Sequence, residues 1–334
     1  MSSSSANPWF VTTFYFFKTI PKDKIPEVKD SLIAKGLSLG MEGLFILAEE
    51  GLNSTCSAPN KGALEEFKSW LRQKFDVADL IFKDSKAPYP PFRKFKVKIR
   101  NEIVTLHRPG LVPAAETVRG TESHLTPEKW NEVLKTEQDF VLIDTRNWYE
   151  FEVGSFKGAV NPNITEFTSF PEFVEELGVP KDKKMLIFCT GGIRCEKGIL
   201  DLQEKGYEKV FQLQGGILKY IEEFPNQEFE GECFVFDHRV AVNQKLEPST
   251  RFELCPHCGQ PGETVIQCVR CTTETKICKR CAELELVKEV CSKNCAHFWK
   301  LNPGKKGHRQ IPVWERKQEV SERSPEPVEL VLGT

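Results

Sequence analysis

The stretch KMLIFCTGGIRCEKGILDLQEKG, residues 184–206, decides how this chain folds. Its apolar run ends at Phe188, and then come Cys189, a Thr-Gly-Gly-Ile loop and Arg194, which opens a helical pattern that Gly206 stops. A near-continuous apolar run bounded in this way predicts a strand buried on both faces in a parallel sheet. Cys189 is therefore expected at the C-terminal end of a parallel strand, where α/β domains bind their ligands. Gly191 and Gly192 allow the loop to turn its N–H groups inward. Those amides, the positive end of the following helix and the Arg194 guanidinium all favour thiolate over thiol, so the pKa of Cys189 is expected to be depressed. Cys195 lies six residues on. It is placed either to resolve an oxidised Cys189 through a disulfide or to pack beneath the loop.

Around this stretch, residues 125–228 alternate helix and strand signals and predict an α/β domain. Thr126 and Pro127 start a helix, FVLIDT is another buried strand, FPEFVEEL is helical and VFQLQGG is a third strand. Upstream, residues 1–104 read as β-α-β-β-α-β, the order of a ferredoxin-like α+β domain. Its strands are WFVTTFYFF, MEGLFILAEE, LNSTCSA and VADLIF. Residues 94–100 then alternate strictly, with Lys94, Lys96, Lys98 and Arg100 on one face and Phe95, Val97 and Ile99 on the other. The proline- and glycine-punctuated stretch 105–124 reads as a linker, 229–302 as a cysteine-rich module, and the polar end 303–334 as a disordered tail.

Composition narrows the function classes. With 46 basic and 48 acidic residues the formal charge is −2, so attraction to nucleic acid must come from a local patch. No window reaches the run of about 18 apolar residues that spans a membrane, and the opening MSSSSANPWF lacks a secretory signal. A cytoplasmic protein with no membrane or DNA partner is expected, of an oligomeric state the sequence leaves open. In a reducing compartment its 12 cysteines read as metal ligands and reactive thiols.

Eight of those cysteines fall in four close pairs: Cys255 and Cys258, Cys268 and Cys271, Cys278 and Cys281, Cys291 and Cys295. Each pair supplies two corners of a tetrahedral site, so two structural zinc ions are expected. The pairing stays open, because sequential pairs are separated by nine residues and interleaved pairs by nineteen. His257 and His297 are alternative ligands, and an Fe–S cluster is an alternative occupant. The stripe Lys94, Lys96, Lys98 and Arg100 spaces its charges by about 7 Å, which suits an RNA backbone, though lysines also guard bare sheet edges. Arg270, Lys279 and Arg280 form a second basic cluster among the cysteine pairs.

VLIDTRNWYEFEVGSFKGAVNP (141–162), FCTGGIRCEKG (188–198) and LQGGILKY (213–220) resemble, in order and spacing, the motifs of a rhodanese domain. That resemblance implies a persulfide-bearing cysteine at Cys189, a loop formed by Thr190, Gly191, Gly192, Ile193 and Arg194, and charged positions at Asp144, Arg146 and Glu150. Tyrosine phosphatases place five residues between cysteine and arginine, and here there are four. Together with EEGLNSTCS (49–57), FRKFKVKIRNEIVTL (92–106) and GECFVFDHRVAV (231–242), these motifs resemble the rhodanese-containing tRNA uridine hydroxylases of the TrhO type. The wider resemblance implies an oxidoreductase that modifies tRNA at the anticodon arm. It would use molecular oxygen as cosubstrate to convert the wobble uridine to 5-hydroxyuridine, with Cys189, Arg194 and Cys195 as catalytic residues. The sequence carries no flavin fingerprint or haem motif. The alternative reading is a persulfide-carrying sulfurtransferase acting on a small sulfur donor or in tRNA thiolation.

Overall fold

In the computed structural model, which describes residues 8–113 and 123–307, the aromatic and β-branched run Trp9–Phe17 forms β1, an interior strand of the N-terminal sheet. The remaining elements of this half follow as α1 (Ile25–Ser38), β2 (Glu42–Ala48), β3 (Gly51–Ala58), α2 (Lys61–Phe75), β4 (Lys83–Ala87) and β5 (Phe95–Ile99). The strand order is β4-β1-β3-β2-β5, antiparallel except for the parallel pair β2–β5. The first four strands have the expected α+β topology, and β5 adds an edge. The last strand differs from the sequence reading: VADLIF is a turn, and the ladder with β1 is made by the polar segment Lys83–Ala87. Val77 and Leu80 are buried from that turn, so their apolar character reflects core contact and not strand pairing.

The two faces of this sheet have different tasks. Phe14, Phe16, Phe45 and Leu47 pack on one side against Leu32 of α1 and Phe67 and Leu71 of α2. Asn60 caps α2 by accepting the Ala63 N–H at 2.9 Å. On the other side Phe17 and Ala48 form a smaller apolar cluster with Ile103, and Ile193 of the Cys189 loop packs against it.

The α/β half is a four-stranded parallel sheet of order β6-β10-β9-β7, comprising β6 (His124–Leu125), β7 (Val141–Asp144), β9 (Met185–Phe188) and β10 (Val210–Leu213). Met185, Leu186, Ile187 and Phe188 are all buried, as the continuous apolar run requires. One face packs on α5 (Phe170–Leu177) and α6 (Ile193–Glu204); the other packs on α3 (Pro127–Thr136) and α7 (Gly216–Glu223). Between β7 and α5 lie α4 (Trp148–Val153) and the short strand β8 (Gly154–Phe156). Segments bordering the α/β half join its structure. Leu106 and Leu111, read as linker, are buried in its core, and Phe229–Gly231 pairs with β8 while Cys233 is buried nearby. Linker residues 114–122 and tail residues 308–334 lie outside the described residues.

Contact density divides the chain between Glu253 and Leu254. The second unit contains the hairpin Thr264–Gln267 with Glu274–Ile277 and the helices Lys279–Ala282 and Lys293–Leu301. Among the described residues no helix is long and apolar enough to cross a membrane.

The two halves of the first unit are joined by a buried ion cluster. Lys197 of α6, fully buried, sits 2.8 Å from Glu50 and 2.7 Å from Glu102, both N-terminal residues. The carboxylates also accept backbone N–H groups, Glu50 from Ile103 and Glu102 from Leu106. Removing one partner from a buried pair typically costs about 3–5 kcal/mol, because the charge left behind cannot be hydrated. This cluster fixes the N-terminal sheet over the helix that begins at the Cys189 loop.

Candidate active site and metal centres

Cys189 follows β9, and α6 begins at Ile193. Three successive loop carbonyls are bonded outward: Cys189 O accepts Ile217 N at 3.0 Å, Thr190 O accepts Leu218 N at 3.1 Å, and Gly191 O accepts Lys83 Nζ at 3.1 Å. The first two donors are the opening amides of α7, which explains LQGG. At Gly216, where φ is +68°, a Cβ would lie 2.6 Å from Cys189 O and 2.7 Å from Gly192 N, so only glycine lets the two backbones meet. With the carbonyls turned out, Gly192, itself at φ +99°, donates its N–H to Cys189 Sγ at 3.1 Å.

Burial alone would push the Cys189 thiol up. The Cys195 thiol hydrogen bond, the Arg194 charge and the amides of Arg194 and Gly192 outweigh it and bring the pKa down to about 6. Cys195 moves the other way, well above the ordinary thiol range, through its own burial and the neighbouring Cys189. It lies 3.8 Å from Thr145 Oγ1, which also donates to Phe188 O. One thiol is thus poised as an anion and the other as its proton-bearing donor.

Arg194 is held by a bidentate pair with Glu150, at 2.9 and 2.7 Å. Glu150 caps α4 by accepting the Asn147 N–H at 3.1 Å. Asp144 binds Arg146 through both carboxylate oxygens and also accepts Ser155 Oγ. These charged residues form two opposite-charge pairs that frame the loop. Cys189, Thr190, Gly191, Ile193 and Arg194 line a cleft of about 300 Å³, closed on its far side by Thr13, Tyr15, Leu44, Ile46, Asn53 and Thr55 of the N-terminal sheet. That volume is at the lower end of the roughly 300–1,000 Å³ found for small-molecule sites.

The basic strand enters this picture through register. Lys96 pairs with Leu44 and Lys98 with Ile46, so the stripe shares the sheet face that roofs the cleft. Lys94, Lys96 and Arg100 are exposed and Lys98 is half-buried. Of the opposing residues Val97 is buried and Phe95 packs in the core, whereas Ile99 at the strand end is 45% exposed. The strand is also an edge, as the protective reading of its lysines requires.

Sequence reasoning did not single out Lys83, Tyr15 or Glu196. Buried Lys83 reaches the loop from β4 and lies 4.7 Å from the Tyr15 ring centroid; burial lowers its pKa to about 8, against the opposing pull of Cys189 and Glu196. Tyr15 donates to Glu196 at 2.8 Å, and Glu196 also meets His124 Nε2 at 3.1 Å. Lys83 sits in a polar strand whose pattern carries no burial signal, so nothing in the sequence marked it. Glu196 and Lys197 do lie inside the quoted CEKG motif, which was the available clue.

In the second unit the thiols gather in interleaved fashion. Cys255, Cys258, Cys278 and Cys281 form one group and Cys268, Cys271, Cys291 and Cys295 the other, with sulfurs of each within 4.8 Å of one another. Each is an all-sulfur set able to hold a metal ion. His257 and His297 belong to neither group; His257 Nε2 instead meets Val290 O at 2.7 Å. Arg270 is engaged locally, with its guanidinium 3.5 Å from Cys295 Sγ and 4.7 Å from the Phe298 ring centroid.

Residues 9–103 match the UPF0176 acylphosphatase like domain, residues 126–223 the rhodanese-like domain and residues 230–296 the rhodanase C-terminal domain. The tRNA uridine(34) hydroxylase of Bdellovibrio bacteriovorus is 53% identical over 94% of this chain and 87% of its own length. That of a Picosynechococcus species is 44% identical over 75% of this chain and 82% of its own. A solved rhodanese-like domain from an Anabaena protein is 19% identical, with a TM-score of 0.29 over 33% of this chain and 80% of that one.

The thiolate assignment has a direct consequence. Since Cys189 loses its proton near 6, its alkylation by iodoacetamide should rise through a midpoint near pH 6 and be flat by pH 8. An ordinary thiol is still rising there, with a midpoint of about 8.5. Mass spectrometry of the Cys189 peptide across pH 5–9 reads the midpoint.

Proposed function

The chain belongs to the tRNA uridine(34) hydroxylase family, and we propose that it hydroxylates the wobble uridine of tRNA at carbon 5 in an oxygen-dependent reaction that uses Cys189 as nucleophile. The observation that carries this reading is a thiolate-favouring cysteine at the floor of a cleft large enough for a base and roofed by a second domain. Chemistry on a base requires that the base leave its stack, and a closed cleft beside a basic surface suits an extruded nucleotide.

The proposed sequence begins with attack of the Cys189 thiolate on carbon 6 of uracil. A C–S bond forms and the C5=C6 π electrons move into the carbonyl at carbon 4, leaving carbon 5 nucleophilic. Carbon 5 then attacks a peroxide-level two-electron oxidant, formed from molecular oxygen by a two-electron external reductant such as a thiol; the O–O bond breaks, a carbon 5–oxygen bond forms, and the second oxygen leaves as water. Loss of the carbon 5 proton and cleavage of the C–S bond regenerate the double bond, giving 5-hydroxyuridine and the free thiolate. Arg194 keeps the sulfur anionic before attack and after release. Cys195, placed beside it, is assigned to resolving an oxidised Cys189 as a disulfide.

Lys94, Lys96, Lys98 and Arg100 are proposed to follow the anticodon-arm backbone into the cleft. The two four-cysteine groups are proposed to hold structural zinc, with no open position for chemistry.

Cys189→Ser should abolish 5-hydroxyuridine formation while leaving fold and tRNA binding intact, since a serine hydroxyl stays protonated in the same loop. Cys195→Ser should slow repeated turnover more than the first, and nucleoside mass spectrometry under single- and multiple-turnover conditions separates the two. Normal hydroxylation by Cys189→Ser would rule out the thiolate route; thiolated nucleosides made by the wild type in place of 5-hydroxyuridine would favour the sulfurtransferase reading.

Replacing Lys94, Lys96 and Lys98 with Gln should weaken tRNA affinity and reduce its salt slope by up to about three counterions. Titrations at several salt concentrations check this, and an unchanged slope would return the stripe to edge protection.

Elemental analysis should give two zinc ions per chain, and Cys258→Ser should release one of them with loss of structure in the second unit. Iron with visible absorbance would overturn the zinc assignment.

A further inference from the structure

The segment GECFVFDHRVAV, residues 231–242, places a large apolar side chain in water. Phe236 is 55% exposed, yet it lines the same cleft as Cys189. Its ring centroid is 5.7 Å from the Arg194 guanidinium carbon, and it packs edge-on against Phe234 at 5.0 Å. Phe234 is itself buried with Val153 and Phe252.

The turn that carries Phe236 is built to hold it there. Val235 donates to Val240 O at 2.9 Å, closing the turn, and Val240 adopts φ +64°. Arg239 is buried and forks onto Asp237 at 2.8 and 2.6 Å. The turn is then tied to the N-terminal half, because Arg239 reaches Ser85 Oγ at 2.7 Å and His238 N donates to Pro91 O at 2.9 Å. This framework fixes the backbone that carries the ring, and the ring itself rests on Phe234 and beside Arg194 at the Cys189 cleft.

The geometry points to Phe236 as the stacking platform that receives the pyrimidine ring of the extruded uridine and sets its face toward Cys189; this rests on the hydroxylase reading above. Three features favour a flat, neutral ring as occupant. The cleft is lined by the aromatic side chains of Phe236 and Phe92, it also carries the small polar side chains Thr13, Thr55 and Asn53, and its volume is near 300 Å³. Stacking of a base on an aromatic ring contributes about 1–3 kcal/mol and tolerates any aromatic surface. An aliphatic side chain of similar size supplies apolar area without the π face.

The test uses the full chain with Phe236 replaced by Ala, Leu, Tyr and Trp. Because the ring is exposed, all four should melt with the wild type. Phe236→Ala and Phe236→Leu should lower kcat/KM for tRNA roughly tenfold or more, and Phe236→Tyr and Phe236→Trp should restore it. Equal activity for Phe236→Leu and the wild type would overturn the platform. In the Trp variant, indole fluorescence in excess of wild type should be quenched by an anticodon stem-loop RNA with uridine at position 34, the position named in the Bdellovibrio relative. It should not be quenched by the same RNA with an abasic site there; equal quenching by both would also overturn the proposal. Uridine-dependent quenching with no 5-hydroxyuridine made by the wild type would sustain the platform and sink the hydroxylase reading, so the two fail separately.

Discussion

The direction of the peptide groups between Cys189 and Arg194 is the constraint on which the rest of this molecule turns. A buried sulfur remains protonated unless something replaces the water it has lost, and here the replacement is the Cys195 thiol, the Arg194 charge and the two loop amides of Arg194 and Gly192. The loop can present its amides to Cys189 only if its carbonyls are satisfied elsewhere. Two of them are met by the first N–H groups of α7 and the third by Lys83. The glycine at 216 and the left-handed backbone at Gly192 are what this arrangement demands of the sequence.

Because one of those donors comes from the N-terminal sheet, the α/β half does not complete its own site. Lys83 secures Gly191 O, Ile193 packs on the face that carries Phe17, and Lys197 draws Glu50 and Glu102 onto α6. The N-terminal domain therefore combines three tasks in one sheet. It roofs the cleft, supports the reactive loop, and brings the alternating lysines of β5 to the same face. An isolated α/β domain with the same loop would lack the roof and the Lys83 bond, which separates this architecture from one whose loop faces open solvent.

Much of this was legible in the sequence, for identifiable reasons. The strand, loop and helix of 184–206 could be read because full burial, glycine chemistry and helical periodicity each leave a strong local pattern. The cysteine pairs were equally plain, but their interleaving was not, since both schemes give regular spacings and only the fold of the hairpin and helices brings Cys258 beside Cys278. Strand β4 was misplaced because its residues, Lys-Asp-Ser-Lys-Ala, are charged or small and show no apolar alternation, while the apolar VADLIF beside it serves the core from a turn. Glu50, Glu102 and Lys197 stood inside quoted motifs without a visible role. Charges that meet across 95 or more residues of chain, as Lys197 and Glu102 do, have no local signature. Phe236 stood inside a quoted motif whose residue types carry no sign of its 55% exposure.

The central claim is that Cys189 forms a covalent bond to carbon 6 of the wobble uridine, and a stem-loop RNA carrying 5-fluorouridine at that position tests it most directly. Fluorine replaces the hydrogen that must leave carbon 5, so the adduct should persist and be isolated as a protein–RNA species. After digestion, the added nucleotide mass should lie on the peptide containing Cys189, and Cys189→Ser should give none. An adduct mapped to another residue, or its absence from a wild-type protein that hydroxylates uridine in the same preparation, would contradict the account.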